Sequence, residues 1–161
     1  MIVRFTSLLC LALYVLSSCD GNEFIGPPEE FLGITETVND PTPIGSIDAD
    51  DWKPLFDCPP PDTTVPSALP TCTKAYPVYP NPASGSIIFN FTVSQSDSII
   101  ISLFDRPYHR ISIIANRRFV AGAYSFTISL NGLQYTVHRL YFTVVRPTGT
   151  YVTYGDIQVI Q

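Results

Sequence analysis

The sequence predicts an all-β fold: an antiparallel immunoglobulin-like β-sandwich of about seven strands behind an irregular Pro-rich tether. Three observations carry that expectation. Apolar and polar residues alternate with a period of two from about Pro80 to the C-terminus, with turn signals at short intervals. Thirteen of the 15 prolines lie between Pro27 and Pro82, so the first half is a poor host for helices or central strands. With 45% hydrophobic and 14% charged residues, a chain of 161 residues can bury one core, and no apolar run approaches the roughly 18 residues of a membrane span.

Taken in order, residues 1–18 come first. Arg4 precedes a largely apolar stretch over 5–16, and Leu16-Ser17-Ser18 sets small residues before Cys19. Twelve such residues span about 18 Å as a helix, short of a hydrocarbon core of about 30 Å, so the segment reads as a cleaved signal peptide. The order Leu-small-small-Cys resembles the lipobox of bacterial lipoproteins, which implies a diacylglycerol on the Cys19 sulfur and cleavage just before it. An ordinary secretory signal cut after Ser18 is the alternative. Two or three acyl chains anchor firmly, since each buried methylene contributes about 0.8 kcal/mol.

Residues 19–75 read as an acidic tether. Between 19 and 73 stand eleven acidic residues against Lys53 alone, whereas 74–161 hold seven basic and three acidic residues. The basic residues cluster only at Arg117-Arg118, so the charge distribution argues against nucleic-acid binding. Asp48-Ala49-Asp50-Asp51 faintly suggests a calcium loop, but the glycine and terminal glutamate of an EF-hand are missing. Trp52, the sole tryptophan, with Leu55 and Phe56, is expected to dock the tether onto the domain. Cys58 and Cys72 form an even pair for an oxidising compartment, and a disulfide closing this Pro-rich loop is expected. Free thiols and a metal site are the alternatives, the latter with no Cys-x-x-Cys spacing and with His109 and His138 isolated far downstream.

Residues 76–161 read as the sandwich. Strands are expected over 86–94, with Ile87, Phe89, Phe91 and Val93 on one face, and over 98–104, with Ile99, Ile101 and Leu103 together. Asp105-Arg106-Pro107-Tyr108 predicts a turn, 110–115 a strand, Asn116-Arg117-Arg118 a polar connection, and Ala121-Gly122 a bend before a strand over 123–130. Asn131-Gly132 predicts a tight type I′ turn, whose two central residues need positive φ. Strands over 135–145 and 150–160 then pair around Pro147-Thr148-Gly149. The last of these is a possible free edge for a strand from another chain.

Several motifs follow one another in a familiar order: Tyr79-Pro80-Asn81-Pro82 ahead of an alternating strand, Ile101-Ser102-Leu103-Phe104-Asp105, Phe119-Val120-Ala121-Gly122-Ala123-Tyr124, and Arg139-Leu140-Tyr141-Phe142. Over residues 76–145 the series resembles the C-terminal sorting domain of type IX secretion cargo, and it is similar to the immunoglobulin-like domain of flagellar hook-capping proteins. The resemblance implies an immunoglobulin-like fold, with Tyr79, Pro80, Asn81, Pro82, Gly122 and Tyr124 as its motif residues. Physically, the two prolines stiffen the lead-in to the first long strand and leave Asn81 free to bond its own turn.

Catalysis finds little support in the residues. His109 sits beside a turn, His138 lies mid-strand, and Asp97, Asp105 and Asp156 lie at different strand ends. No catalytic residue, metal or cofactor is expected. Tyr124, Phe126, Tyr135, Tyr141, Phe142, Tyr151 and Tyr154 form either a binding stripe or, more in keeping with alternation, part core and part sheet surface. The expected partners are the membrane, through lipid on Cys19, and an envelope or secretion-machinery protein, with neither nucleic acid nor a small-molecule substrate. Two readings of function stand: a non-catalytic cell-envelope lipoprotein, on the outer membrane or cell surface, displaying an interaction or assembly module, and a type IX sorting or attachment domain.

Overall fold

The computed structural model describes residues 31, 33–58 and 69–161. Its elements are β1 (Lys74–Ala75), β2 (Ser86–Val93), β3 (Asp97–Arg106), β4 (His109–Phe119), β5 (Gly122–Ser129), β6 (Val137–Arg146) and β7 (Gly149–Gln158). Among the described residues there is no helix. The strands form two antiparallel sheets, β1-β2-β5 and β4-β3-β6-β7. Because β2 pairs with β5 and β3 with β6, the chain crosses between sheets after β2, β4 and β5. That is the Greek-key wiring of an immunoglobulin-like sandwich.

The period-two pattern explains which side chains meet between the sheets. Ile87, Phe89, Phe91 and Val93 of β2 face Ile99, Ile101 and Leu103 of β3 and Leu140, Phe142 and Val144 of β6, all nearly or fully buried. Phe91 is the hub, with ring centroids of Phe142, Tyr124 and Phe119 at 5.1, 5.2 and 5.4 Å. Burying each such side chain contributes about 1.5–3 kcal/mol, so the alternation is itself the main stabilising feature. The weighed aromatic stripe divides accordingly: Phe142 is core, Tyr141 is covered, and Tyr135 is exposed.

Two local expectations are corrected. Asn116-Arg117-Arg118 is not a connection but part of β4, paired with Ile100, Ile99 and Ser98 of β3. At a sheet edge, polar side chains face water while the backbone keeps its ladder, so polarity does not end the strand. Asn131-Gly132 does make a turn, closed by the Leu133 amide on the Leu130 carbonyl at 3.1 Å, but only Gly132 has positive φ (+83°). The type I′ geometry belongs to hairpins between paired strands, whereas β5 and β6 lie in different sheets. The hairpin between β6 and β7 is formed as expected, Arg146 opposite Gly149.

The acidic segment ahead of β1 does not hang free where it is described. It lies on the sandwich as a strap. Thr37 and Asn81 exchange both backbone hydrogen bonds, at 2.9 and 3.1 Å, and the Thr37 hydroxyl donates to the Val78 carbonyl at 2.6 Å. Trp52 docks as its apolar character predicts. It is 7% exposed, 5.3 Å from the Phe89 ring, and seated on Gly155, where any Cβ would overlap the indole. Trp52 holds φ at +55°, a conformation that costs an L residue about 1–2 kcal/mol and is offset here by burial of the ring. Cys58 and Cys72 are disulfide-bonded, with Cα atoms 5.4 Å apart, so the strap is tied back to the start of β1.

Candidate interaction surface

The sandwich has two flanks, and the sequence builds them differently. On the first, β7 and the strap meet. Asp51 accepts the Asp156 amide at 2.8 Å and the Thr35 amide at 3.0 Å, one on each carboxylate oxygen. Asn81 is 1% exposed, and its side-chain amide donates to the carbonyls of Thr35 (3.0 Å) and Asp156 (2.8 Å) while its oxygen accepts the Gln158 amide (2.9 Å). Ala83 adds a parallel bridge to Val159. The free edge of β7 is therefore covered along its second half, and for that half the expectation that the last strand offers an edge to another chain is overturned. An edge strand presents a row of unpaired amides and carbonyls, and here the strap supplies their partners.

The ionisable groups weighed for catalysis all have partners within the fold. Arg139 and Asp156, 3% and 0% exposed, form a bidentate pair at 2.6 and 2.8 Å, with Arg139 also stacked on Tyr154 and Phe31. Burial by itself lowers the Arg139 pKa, but the hydrogen bonds and charge of Asp156 outweigh it and hold the guanidinium protonated. Arg146 makes a second bidentate pair with Asp97 at 2.9 and 2.6 Å, reaches the Thr73 hydroxyl at 3.2 Å and stacks on Phe56. Both ends of the disulfide loop thus converge on one ion pair. Burial raises the Asp97 pKa, yet the bonds and charge of Arg146 leave it below the ordinary value. His109 bonds Asp105 at 2.6 Å on the exposed turn, and His138 is buried with Nε2 on the Gln134 carbonyl at 3.0 Å.

One cluster escapes sequence reasoning. Asp48, Asp51 and Asp156 each offer a carboxylate oxygen within 4.8 Å of the others, which is compact enough for a cation. The protein already serves two of them: Arg139 takes both oxygens of Asp156, and two amides take those of Asp51. Burial pushes the Asp51 pKa up to about 7 against the opposing effect of those amides, with Asp156 and Asp48 adding like-charge repulsion. The aspartate run is visible in the sequence, but its spatial partner lies 105 residues away.

On the opposite flank, β4 and β5 are the sheet edges, joined by Val120 and Ala121. Gly122 opens β5 opposite Val93, and the Tyr124 hydroxyl donates to the Val120 carbonyl at 2.9 Å, fixing the corner. Of the remaining motif residues, Tyr79 bridges Ile88 and takes the Asn90 side-chain amide on its hydroxyl at 3.2 Å, while Pro80 and Pro82 are exposed. Asn81 does not bond its own turn. A buried carboxamide needs donors and acceptors satisfied, and the strap and β7 satisfy them. Cys19 and the whole signal segment, 1–18, lie outside the described residues.

Among the described residues, geometry defines the class: a seven-stranded immunoglobulin-like sandwich, overlaid on one flank by a disulfide-tied strap and uncovered on the other. No protein-family model, no curated protein and no solved structure matches the chain.

Proposed function

We propose that the chain is a non-catalytic cell-envelope lipoprotein, lipidated on Cys19, whose strapped sandwich serves as an interaction or assembly module. The observation that carries this reading is the lipobox-like Leu16-Ser17-Ser18-Cys19 set ahead of an acidic strap that ends in the Cys58–Cys72 disulfide. A disulfide agrees with an oxidising compartment outside the cytoplasm. The domain's three carboxylates, Asp97, Asp105 and Asp156, are bound to Arg146, His109 and Arg139, which suits a structural role for each.

The second reading is a type IX sorting or attachment module, favoured by the motif series that begins at Tyr79-Pro80-Asn81-Pro82. Intact-mass analysis of the protein from its native envelope, beside Cys19→Ala, separates the two. An acylated chain starting at Cys19 and ending at Gln161 is the expected result. An unlipidated chain overturns the lipoprotein reading, and one that is unlipidated and has lost its sandwich favours the sorting module.

A further inference from the structure

The two sheets have four edges, and among the described residues three are closed, shortened, charged or covered over part of their length. β7 is covered by Asp51, Asn81 and Ala83. β1 is two residues long, and the chain after it stays on β2 through Tyr76 and Tyr79. β4 carries arginines and skips Ile111 and Ile114 in its register with β3, and charge and bulges are both devices that resist strand addition. β5 has none of these. Its eight residues, GAYSFTIS, pair with β2 without a register break and contain no charge and no proline.

Backbone alternation says which groups β5 offers. Ile88 exchanges hydrogen bonds with Tyr79, and the Asn90 carbonyl accepts the Tyr76 amide, so both turn away from β5. Their register partners Thr127 and Ser125 therefore point their own amides and carbonyls outward, and Ala123 and Ser129 follow by the same alternation. Beside this row, Tyr124 and Phe126 are half-buried on the core-facing side. Phe119 contacts both rings and carries the Arg117 guanidinium at 4.7 Å on its own ring. Arg110, Arg117 and Arg118 form no ion pair among the described residues, in contrast to Arg139 and Arg146.

We infer that β5 accepts an extended, acidic segment of a partner protein as a fourth strand of its sheet. The segment's backbone bonds the outward groups of Ser125 and Thr127, alternate apolar side chains cover the exposed halves of Tyr124 and Phe126, and a carboxylate meets Arg117, which shares the core-facing side of β4 with Phe119. A second copy suits the flank less well. Joining two β5 edges brings two β4 strands together, each carrying three arginines and no carboxylate. The inference deepens the reading of the domain as an interaction module and rests on that reading, though not on lipidation of Cys19.

The test uses the full chain and two synthetic peptides of alternating valine and threonine, one with glutamate and one with lysine at both ends. Amide hydrogen exchange is read residue by residue. The glutamate peptide is expected to slow exchange at Ser125 and Thr127 on the order of tenfold, and to bind roughly tenfold tighter than the lysine peptide. Arg117→Glu should reverse the preference, whereas Arg118→Glu, on the outer face of β4, should leave its direction unchanged. Ser125→Pro should abolish binding while Trp52 fluorescence reports a retained fold, because the lost amide points away from β2. Unchanged exchange at saturating peptide overturns the inference, as do protection on β4 instead of β5, equal affinity for both peptides, or protection that rises with protein concentration alone. Each of these results can coexist with an acylated Cys19, so the lipoprotein reading is judged separately.

Discussion

Asp51 holds the backbone amide of Asp156 at 2.8 Å, a hydrogen bond that joins the strap to the last strand across 105 residues of chain. The same carboxylate holds the Thr35 amide, so one side chain fastens two segments. Its position has a cost as well. Burial disfavours the charge, and the neighbouring Asp156 and Asp48 add to the effect.

Stability should therefore fall as pH rises between 3.8 and about 7. In that window folded Asp51 retains a proton that the unfolded chain has lost, so the folded state binds more protons and the unfolding free energy has a negative slope. Asp97, whose folded pKa is depressed, acts in the opposite sense and at lower pH, its stabilisation being lost as pH falls below 3.8. Urea unfolding at a series of pH values is expected to give this slope for the parent and a flatter one for Asp51→Asn. A parent profile that rises steadily to neutrality contradicts it.

Asn81→Ala should destabilise the fold by about 3 kcal/mol. It removes three side-chain hydrogen bonds and strands the carbonyls of Thr35 and Asp156 and the amide of Gln158, each a buried group that costs about 1–3 kcal/mol when unpaired. A shift in the denaturation midpoint at constant denaturant slope is the measurement. A loss below about 1 kcal/mol would mean that water replaces the carboxamide at this junction.

Trp52→Ala should cost about 4 kcal/mol, because a large ring leaves the gap between Phe89 and Gly155. Gly155→Ala introduces a methyl into space the indole occupies and should cost about 1–3 kcal/mol. In the double variant the clash has no second party, so the two losses should sum to more than the combined effect. Strict additivity in the cycle would place Trp52 elsewhere.

Reducing the Cys58–Cys72 bond, or replacing both residues by serine, should lower stability by about 3 kcal/mol through the entropy of a loop with a sequence separation of 14 residues. The denaturant slope should rise at the same time, since the unfolded chain becomes less compact. Tying the strap to the start of β1 also keeps Phe56 and Thr73 together at Arg146, so the variant should fray first around Phe56 and Thr73, as seen by amide exchange at those residues.

The sequence alone determines the long strands of the sandwich and their facing, but neither β1 nor the extent of β4 through Arg118. Ile87, Phe89, Phe91 and Val93 must share a side because side chains alternate along a strand, and Pro147-Thr148 must turn because proline lacks the amide a ladder needs, with Gly149 reopening the ladder opposite Arg146. Trp52 declares its docking by its size and apolarity, and Cys58 and Cys72 are the pair the sequence leaves if Cys10 and Cys19 belong to the signal segment and the lipid site. What only the tertiary structure decides is which edges are open. The strap carries no periodicity of its own, so nothing local announces that Asp51 caps Asp156 or that Asn81 serves three segments instead of its own turn. Those bonds are made between residues 46 to 105 positions apart, where the requirement that every buried donor and acceptor find a partner is met by packing and leaves no pattern along the chain. Cover over the second half of β7 and exposure of β5 follow from the same cause. An edge strand and a covered one can share one alternation, and they differ only in what the fold lays beside them.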